Sequence, residues 1–253
     1  MTDVDCLTEE LVNADRIVVL TGAGISTESG IPDYRSAGGL WRQVKPIYFD
    51  DFVSSAAARR ESWDRIFKSG GMMKGAMPNA GHVAVAELVT MGKTTNIITQ
   101  NVDNLHQASG VPAEKIIELH GNASFARCLT CGAHHDYAVL KPRWLAEEEL
   151  TCDQCGGLLK SATISFGQSM PLAEMERAET EARQCDLMLV LGTSLEVHPA
   201  AELPLVAKYS GARLVFVNLD DTPLDAHADI VISTKIGPLL SAAISKLKAQ
   251  KGT

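Results

Sequence analysis

A chain of 253 residues with 45% apolar and 21% charged side chains can bury a domain-sized core, which excludes a disordered or low-complexity protein. Its net charge of -8, from 23 Lys+Arg against 31 Asp+Glu with no dense basic run, argues against nucleic acid as a direct partner, because phosphate neutralisation dominates that affinity.

The N-terminus, Met1-Thr2-Asp3-Val4-Asp5, is acidic and leads into an amphipathic stretch. It lacks the basic head and apolar run of a secretory signal. No segment approaches the roughly 20 apolar residues that cross a bilayer, so no membrane partner is expected. The expected compartment is the cytoplasm, where the six cysteines stay mostly reduced and paired CxxC motifs read as metal ligands before disulfides.

The first buried strand is predicted at Arg16–Leu20. Directly after it comes Thr21-Gly22-Ala23-Gly24-Ile25-Ser26-Thr27-Glu28-Ser29-Gly30. Glycines between a strand and a helix let the backbone approach a pyrophosphate. The third glycine is late for a regular GxGxxG, so taken alone this is as consistent with an ordinary glycine-rich turn. A stretch of loops and a few helices is expected next, opening with Ala37-Gly38-Gly39 and closing with Gly70-Gly71 and Pro78-Asn79. From Gly81 to Met91, Ala84, Val85, Leu88 and Val89 share one side, which predicts a helix.

A second strand, Asn96–Thr99, runs into Gln100-Asn101-Val102-Asp103-Asn104-Leu105-His106. In an open α/β sheet these amide and carboxylate groups would reach the cleft beyond the strand ends. Glu118-Leu119-His120-Gly121-Asn122 follows, with an imidazole between an apolar pair and a glycine. Such a histidine reads as a packed residue as readily as a base, and His82, His106, His134, His135 and His227 read as packing or surface groups.

Cys128-x2-Cys131 and Cys152-x2-Cys155 come next, 20 residues apart. Two such knuckles supply four thiolates for a tetrahedral zinc ion, a closed site with no open position for chemistry. Gly132 and Gly156-Gly157 permit the tight turns that bring backbone amides to the sulfurs. Cys185 falls outside the pattern and reads as a buried small apolar residue.

Pro171–Gln184 is charge-rich with a narrow apolar stripe, a surface helix. The strand Leu187–Leu191 ends in Gly192-Thr193-Ser194, and Arg213–Val217 ends in Asn218-Leu219-Asp220. Three small or polar turns at three strand ends describe one nucleotide site, although Thr193 or Ser194 alone could cap a helix. Asp229–Ile232 is the last strand. A helix closes the chain, with Pro238 in a tolerated first-turn position and Leu239, Leu240, Ala243, Ile244 and Leu247 at helical spacing.

Alternating strands and helices predict an α/β fold: a Rossmann-like doubly wound parallel sheet, with insertions forming a small zinc-binding lobe. The expected division is a discontinuous large domain of 1-33, 80-126 and 163-253. The insertions 34-79 and 127-162 would form the small domain.

Together these strings resemble the sirtuin family of NAD-dependent protein deacylases. They are Gly22–Ser36, Thr99–His106, Glu118–Asn122, the paired cysteines, Ser165–Pro171, Gly192–Pro204 and Val217–Pro223, in the family's order along essentially the whole chain. Bacterial members related to the unclassified group look nearest. The resemblance implies NAD as co-substrate, a structural zinc, and acetyl-lysine proteins or peptides as partners. It matches Gly22, Ala23, Gly24, Ser26, Thr27, Tyr34 and Arg35 to the turn and loop around NAD, and Gln100 to a ribose contact. It matches Asn101, Val102 and Asp103 to the nicotinamide pocket, with Asp103 accepting from the carboxamide and Asn101 taken as catalytic. Gly192, Thr193, Ser194, Asn218, Asp220 and Ile236 match phosphate, ribose and adenine contacts, and His120 matches the catalytic base.

An apolar acyl tunnel is expected from Ile164, Phe166 and Val197. The peptide would add as a strand between Phe166-Gly167-Gln168 and Glu196-Val197-His198. Ile164 and Val197 could equally be core residues. Tyr34, Gln168 and His198 stand where many members have phenylalanine, glutamate and tyrosine. Succinyl-selective members carry Tyr-x-x-Arg before the Pro-Asn pair, and Trp63-Asp64-Arg65-Ile66-Phe67-Lys68 lacks it. Neutral acyl groups, acetyl foremost, are therefore expected. Mono-ADP-ribosyl transfer would use the same NAD site. A dehydrogenase or a zinc-ribbon binding module fits the residues less well.

Overall fold

The computed structural model describes residues 2–34, 39, 44–68, 73 and 75–251, with Lys251 described only in its backbone. Five parallel strands lie where the apolar runs predict them, within two residues. They are β1 (Ile17–Thr21), β2 (Thr94–Thr99), β7 (Leu187–Leu191), β8 (Arg213–Val217) and β9 (Ile230–Ile232). A sixth, β3 (Ile116–Glu118), pairs with β2 at one edge. Three residues are too few to show a periodicity, which is why it was not expected.

The order is β3-β2-β1-β7-β8-β9, with every neighbouring pair parallel. Strands β1 and β7 are buried at every position, as a sheet covered on both faces requires. On one face Ile17, Val19, Ile97, Leu189 and Val215 pack with Leu7, Leu88, Leu240 and Ile244. These last come from α1 (Asp3–Asn13), α4 (Ala80–Thr90) and α9 (Ile236–Lys251). On the other, Val18, Leu20, Ile98, Met188 and Phe216 pack with Ala178, Ala182 and Ala207. Those belong to α7 (Leu172–Gln184) and α8 (Leu203–Tyr209). The strand order reverses between β1 and β7, so a ligand crevice opens beyond their carboxyl ends.

A second sheet is antiparallel. It orders β5 (His134–Asp136), β4 (Gly121–Cys128) and β6 (Leu159–Thr163). Its own core joins Trp63 and Phe67 of α3 (Ala56–Phe67) to Leu140 and Trp144 of α6 (Tyr137–Leu145), with Cys128, Cys152 and Leu159. Helix α2 (Phe49–Ser54) precedes α3, so among its described residues the expected stretch of loops and a few helices holds two. Among the described residues no helix is long and apolar enough to cross a membrane.

Candidate active site

The turn after β1 differs from its expected form in two ways. It winds into a 3-10 segment, Ala23–Ser29, rather than opening an α-helix. The glycine amides also face the neighbouring turn: Gly22 N donates to Leu191 O at 3.0 Å and Gly24 N to Gly192 O at 2.8 Å. A Cβ on Gly24 would stand 2.6 Å from Gly192 Cα, and one on Gly22 2.6 Å from Thr193 Cβ. These glycines are therefore required by close packing of two backbones at the switch point, not by amides held free for an anion. Thr193 and Ser194 cap no helix, since regular structure resumes only at Ala200. Thr193 Oγ1 instead accepts from Gln100 Nε2 at 3.0 Å, tying β2 to β7 across β1.

One cleft of about 1090 Å³ gathers most of the expected residues. Gly22, Ala23, Gly24, Tyr34, Gln100, Asn101, Val102, His120, Gly192, Thr193, Ser194, Asn218 and Asp220 all line it, as do Ile164, Phe166, Gly167 and Val197. Ile164 and Val197 are half-buried cleft walls rather than core residues. Both expected peptide edges, 166–168 and 196–198, are irregular backbone here.

Four expected residues do not line the cleft. Thr27 is exposed, and its hydroxyl donates back to Gly24 O at 2.9 Å. Ile236 is buried in the core at the start of α9. Ser26 and Asp103 lie behind Asn101, in a buried polar chain. Arg35 lies outside the described residues.

That chain fixes protons as well as positions. Ser26 Oγ donates to Asp103 Oδ2 at 2.6 Å, and Asn101 Nδ2 donates to Ser26 Oγ at 3.2 Å and to Gly22 O at 3.0 Å. The second Asp103 oxygen accepts from Leu105 N at 3.0 Å. His82 is fully buried, and its Nδ1 accepts from Asn79 N at 3.3 Å, which leaves Nε2–H to face Ser26 Oγ at 3.4 Å. Burial pulls the His82 pKa down, with Asp103 and Glu28 opposing. By sequence alone His82 reads as a packing group. Its readable signal was position N3 of α4, three residues after the Asn79 cap. Tyr34 meets the same chain: burial first, then the Asp103 carboxylate, push its phenol upward.

His120 sits in the turn between β3 and β4, half-buried. Its Nδ1 lies 3.0 Å from the Gln100 carbonyl. A carbonyl only accepts, so Nδ1 carries the proton and Nε2 is left as the basic nitrogen. Burial lowers the His120 pKa, opposed by that hydrogen bond, so the ring is neutral at neutral pH.

Away from the cleft, the Cys128, Cys131, Cys152 and Cys155 sulfurs all lie within 4.8 Å of one another. Cys128 and Cys155 Sγ are 3.4 Å apart, and Cys131 and Cys152 Sγ 3.7 Å. Sulfurs around a tetrahedral zinc at about 2.3 Å stand about 3.8 Å apart, so the cluster fits the ion and is far from disulfide length. The knuckles match: Gly132 N donates to Cys128 O at 3.0 Å and Gly156 N to Cys152 O at 2.8 Å. A Cβ on Gly157 would press on Cys128 Sγ at 2.9 Å. Backbone N–H groups, that of Cys131 first, hold the Cys128 thiol down to about 6, in favour of the thiolate a metal needs. Cys185 is buried and apart, as expected.

Residues 22–199 match the model of the Sir2 family. The chain is 49% identical over 237 residues to the NAD-dependent protein deacetylase 1 of Bradyrhizobium diazoefficiens, covering 94% of this chain and 93% of that one. It is 47% identical over 238 residues to the NAD-dependent protein deacetylase of Rhodopseudomonas palustris, covering 94% of each. A solved Sir2 described as a complex with a p53 peptide and NAD+ superposes over the full length of both chains, with a TM-score of 0.84 at 33% identity.

Proposed function

The chain belongs to the Sir2 family, and from that premise we infer that it removes acetyl groups from protein lysines in an NAD-dependent reaction. The products are nicotinamide, O-acetyl-ADP-ribose and free lysine. One observation carries this reading: a neutral imidazole with a fixed basic nitrogen, His120, shares a single cleft with the strand-end turns and with the apolar walls Ile164, Phe166 and Val197.

NAD, when bound, supplies a ribose carbon that can exchange nicotinamide for the acyl oxygen and a ribose hydroxyl that can receive the acyl group. Gly22–Gly24, Gln100, Gly192–Ser194, Asn218 and Asp220 bind and orient it at the switch point. Asn101 has both amide hydrogens committed, so its Oδ1 is the group it can offer. Asp103, set behind Asn101, acts through Ser26 Oγ, which links its carboxylate to the Asn101 amide. Tyr34, Ala23 and Val102, which line the cleft, exclude water from the reacting carbon. His120 Nε2 takes the proton of the ribose hydroxyl, raising its attack on the acyl carbon. Gly167 and Val197 flank the peptide, which lies between them as an added strand.

Cys128, Cys131, Cys152 and Cys155 would hold zinc, which supplies structure alone. We place the enzyme in the cytoplasm, a reading its unbridged cysteines support. The domain division is 1-33, 80-126 and 163-253 against 34-79 and 127-162, with the junction inside β4 and β6, which run across two of those boundaries.

Incubation with an acetyl-lysine peptide and NAD tests the function. Release of nicotinamide with stoichiometric O-acetyl-ADP-ribose is expected. Transfer of ADP-ribose to protein without the acetylated product would replace it with the transferase alternative.

A further inference from the structure

The string Glu118-Leu119-His120-Gly121-Asn122 holds two polar residues to which the chemistry gives no part, one on each side of His120. They are joined. Asn122 Nδ2 donates to Glu118 Oε1 at 2.7 Å, so the turn that carries His120 at its middle is closed across its base. Gln107 Nε2, on the short helix α5 (Leu105–Ala108), donates to the same Glu118 oxygen at 2.6 Å.

Asn122 is 5% exposed and held from every side. Its Nδ2 also donates to Asn104 Oδ1 at 2.9 Å, and its Oδ1 accepts from Ser124 N at 2.9 Å and Ser124 Oγ at 2.6 Å. A carboxamide offers two hydrogens and two lone pairs, so all of them are spent and the amide has one orientation. Burial pushes the Glu118 carboxyl up, and the hydrogen bonds from Asn122 and Gln107 oppose that.

The turn needs such a tie. Gly121 follows His120 directly with a φ of 74°, and glycine is the residue with the widest choice of backbone angles. Main-chain bonds hold the peptide groups on either side: Leu119 N donates to Thr99 O at 3.0 Å and Ile164 N to His120 O at 2.8 Å. The ring itself is held by its one bond to the Gln100 carbonyl. Closing the base of the turn removes the freedom that the glycine would otherwise pass on to the ring.

We propose that Glu118 is a positioning residue for deacylation: through Asn122 it locks the turn that directs His120 Nε2 to the ribose hydroxyl. This rests on the deacylase reading of the cleft. Both bonds fall on Oε1, so an amide oxygen at the same reach can replace the carboxylate, whereas an apolar or shorter side chain cannot.

The test reads two reactions in the presence of an acetyl-lysine peptide: deacetylation, and exchange of labelled nicotinamide into NAD. Exchange reports the departure and return of nicotinamide, which precede the proton transfer to His120. Glu118→Leu should lower kcat for deacetylation about tenfold, the scale on which a slight misplacement of a catalytic group acts. KM for NAD and for peptide should not move, and exchange should keep its wild-type rate. Glu118→Gln should stay near wild type in both reactions. Should the leucine variant not fold, Glu118→Asp, which withdraws the oxygen by one methylene, takes its place with the same expected split. A folded leucine or aspartate variant with wild-type kcat overturns the proposal. So does an equal loss of exchange and deacetylation, which a general weakening of the fold would give. A glutamine variant as slow as the leucine one overturns it too, since charge rather than the closed turn would then matter. Failure of acetyl turnover in the wild type would instead sink the underlying deacylase reading.

Discussion

At the residue scale the two histidines that matter most are neutral for the same reason and serve different ends. Burial depresses both, but His120 opens on the cleft whereas His106 is 1% exposed, with Nε2 2.9 Å from Thr21 Oγ1 and no partner for Nδ1 among the described residues. His120→Ala should lower kcat/KM for deacetylation by at least about 100-fold, the usual range for a lost general base. The wild-type activity should stay level through neutral pH and fall only below the ordinary imidazole range, because protonation of a depressed group begins later. A pH–rate profile that breaks above that range would contradict the assignment. His106 bears on stability instead. Its pKa is pulled to about 3 by burial, then by His82, against 6.5 for the free ring. The unfolded chain therefore binds the extra proton first, and its contribution is present above pH 6.5 and lost as pH falls toward 3. Urea unfolding across that window should steepen by up to about 1.4 kcal/mol per pH unit for this proton. A His106→Gln variant, weaker at neutral pH, should show the shallower slope.

At the scale of elements, the short connections carry more than the long ones. Gly121 links the catalytic turn to β4 with a φ of 74°, and a Cβ there would run into the Ala162 carbonyl of β6. Gly121→Ala combines a left-handed backbone with a backbone clash, and should cost more than about 2 kcal/mol in a urea titration. It should also reduce activity beyond that loss, since the pairing beside it holds Ile164 N on His120 O. A variant with wild-type stability and turnover would mean that β4 and β6 part freely at this point. The sequence contained the glycine but not its reason, because Ala162 lies on a different strand. Strands β4 and β6 themselves were hidden for a related cause. GNASFARC and LKSAT are small and polar, and only their pairing around the cysteine knuckles makes them strands.

At the scale of the molecule, the two lobes rest on different forces. The large one has a core on each face of six strands, while the small one has, among the described residues, nine buried core residues, two of them cysteines of the four-sulfur cluster. Chelation, or Cys128→Ser, should therefore disorder the small lobe first. Trp63 and Trp144, packed in that cluster, should report it by a fluorescence change, with activity lost while the far-ultraviolet signal of the parallel sheet largely persists. One concerted transition of both lobes would refute this hierarchy. What the sequence by itself determined was whatever short-range pattern encodes: five apolar strands, the bracketing helices, the four-thiolate set and the strand-end turns. Tertiary structure alone decided the rest. It turned the Gly22 and Gly24 amides onto β7 and the turn after it, set Ser26 and Asp103 behind Asn101 rather than in the cleft, and buried His82 and the Lys160 side chain. Each of those outcomes depends on a partner far away in sequence, and hydrogen bonding and desolvation act on distance in space, which no local pattern records.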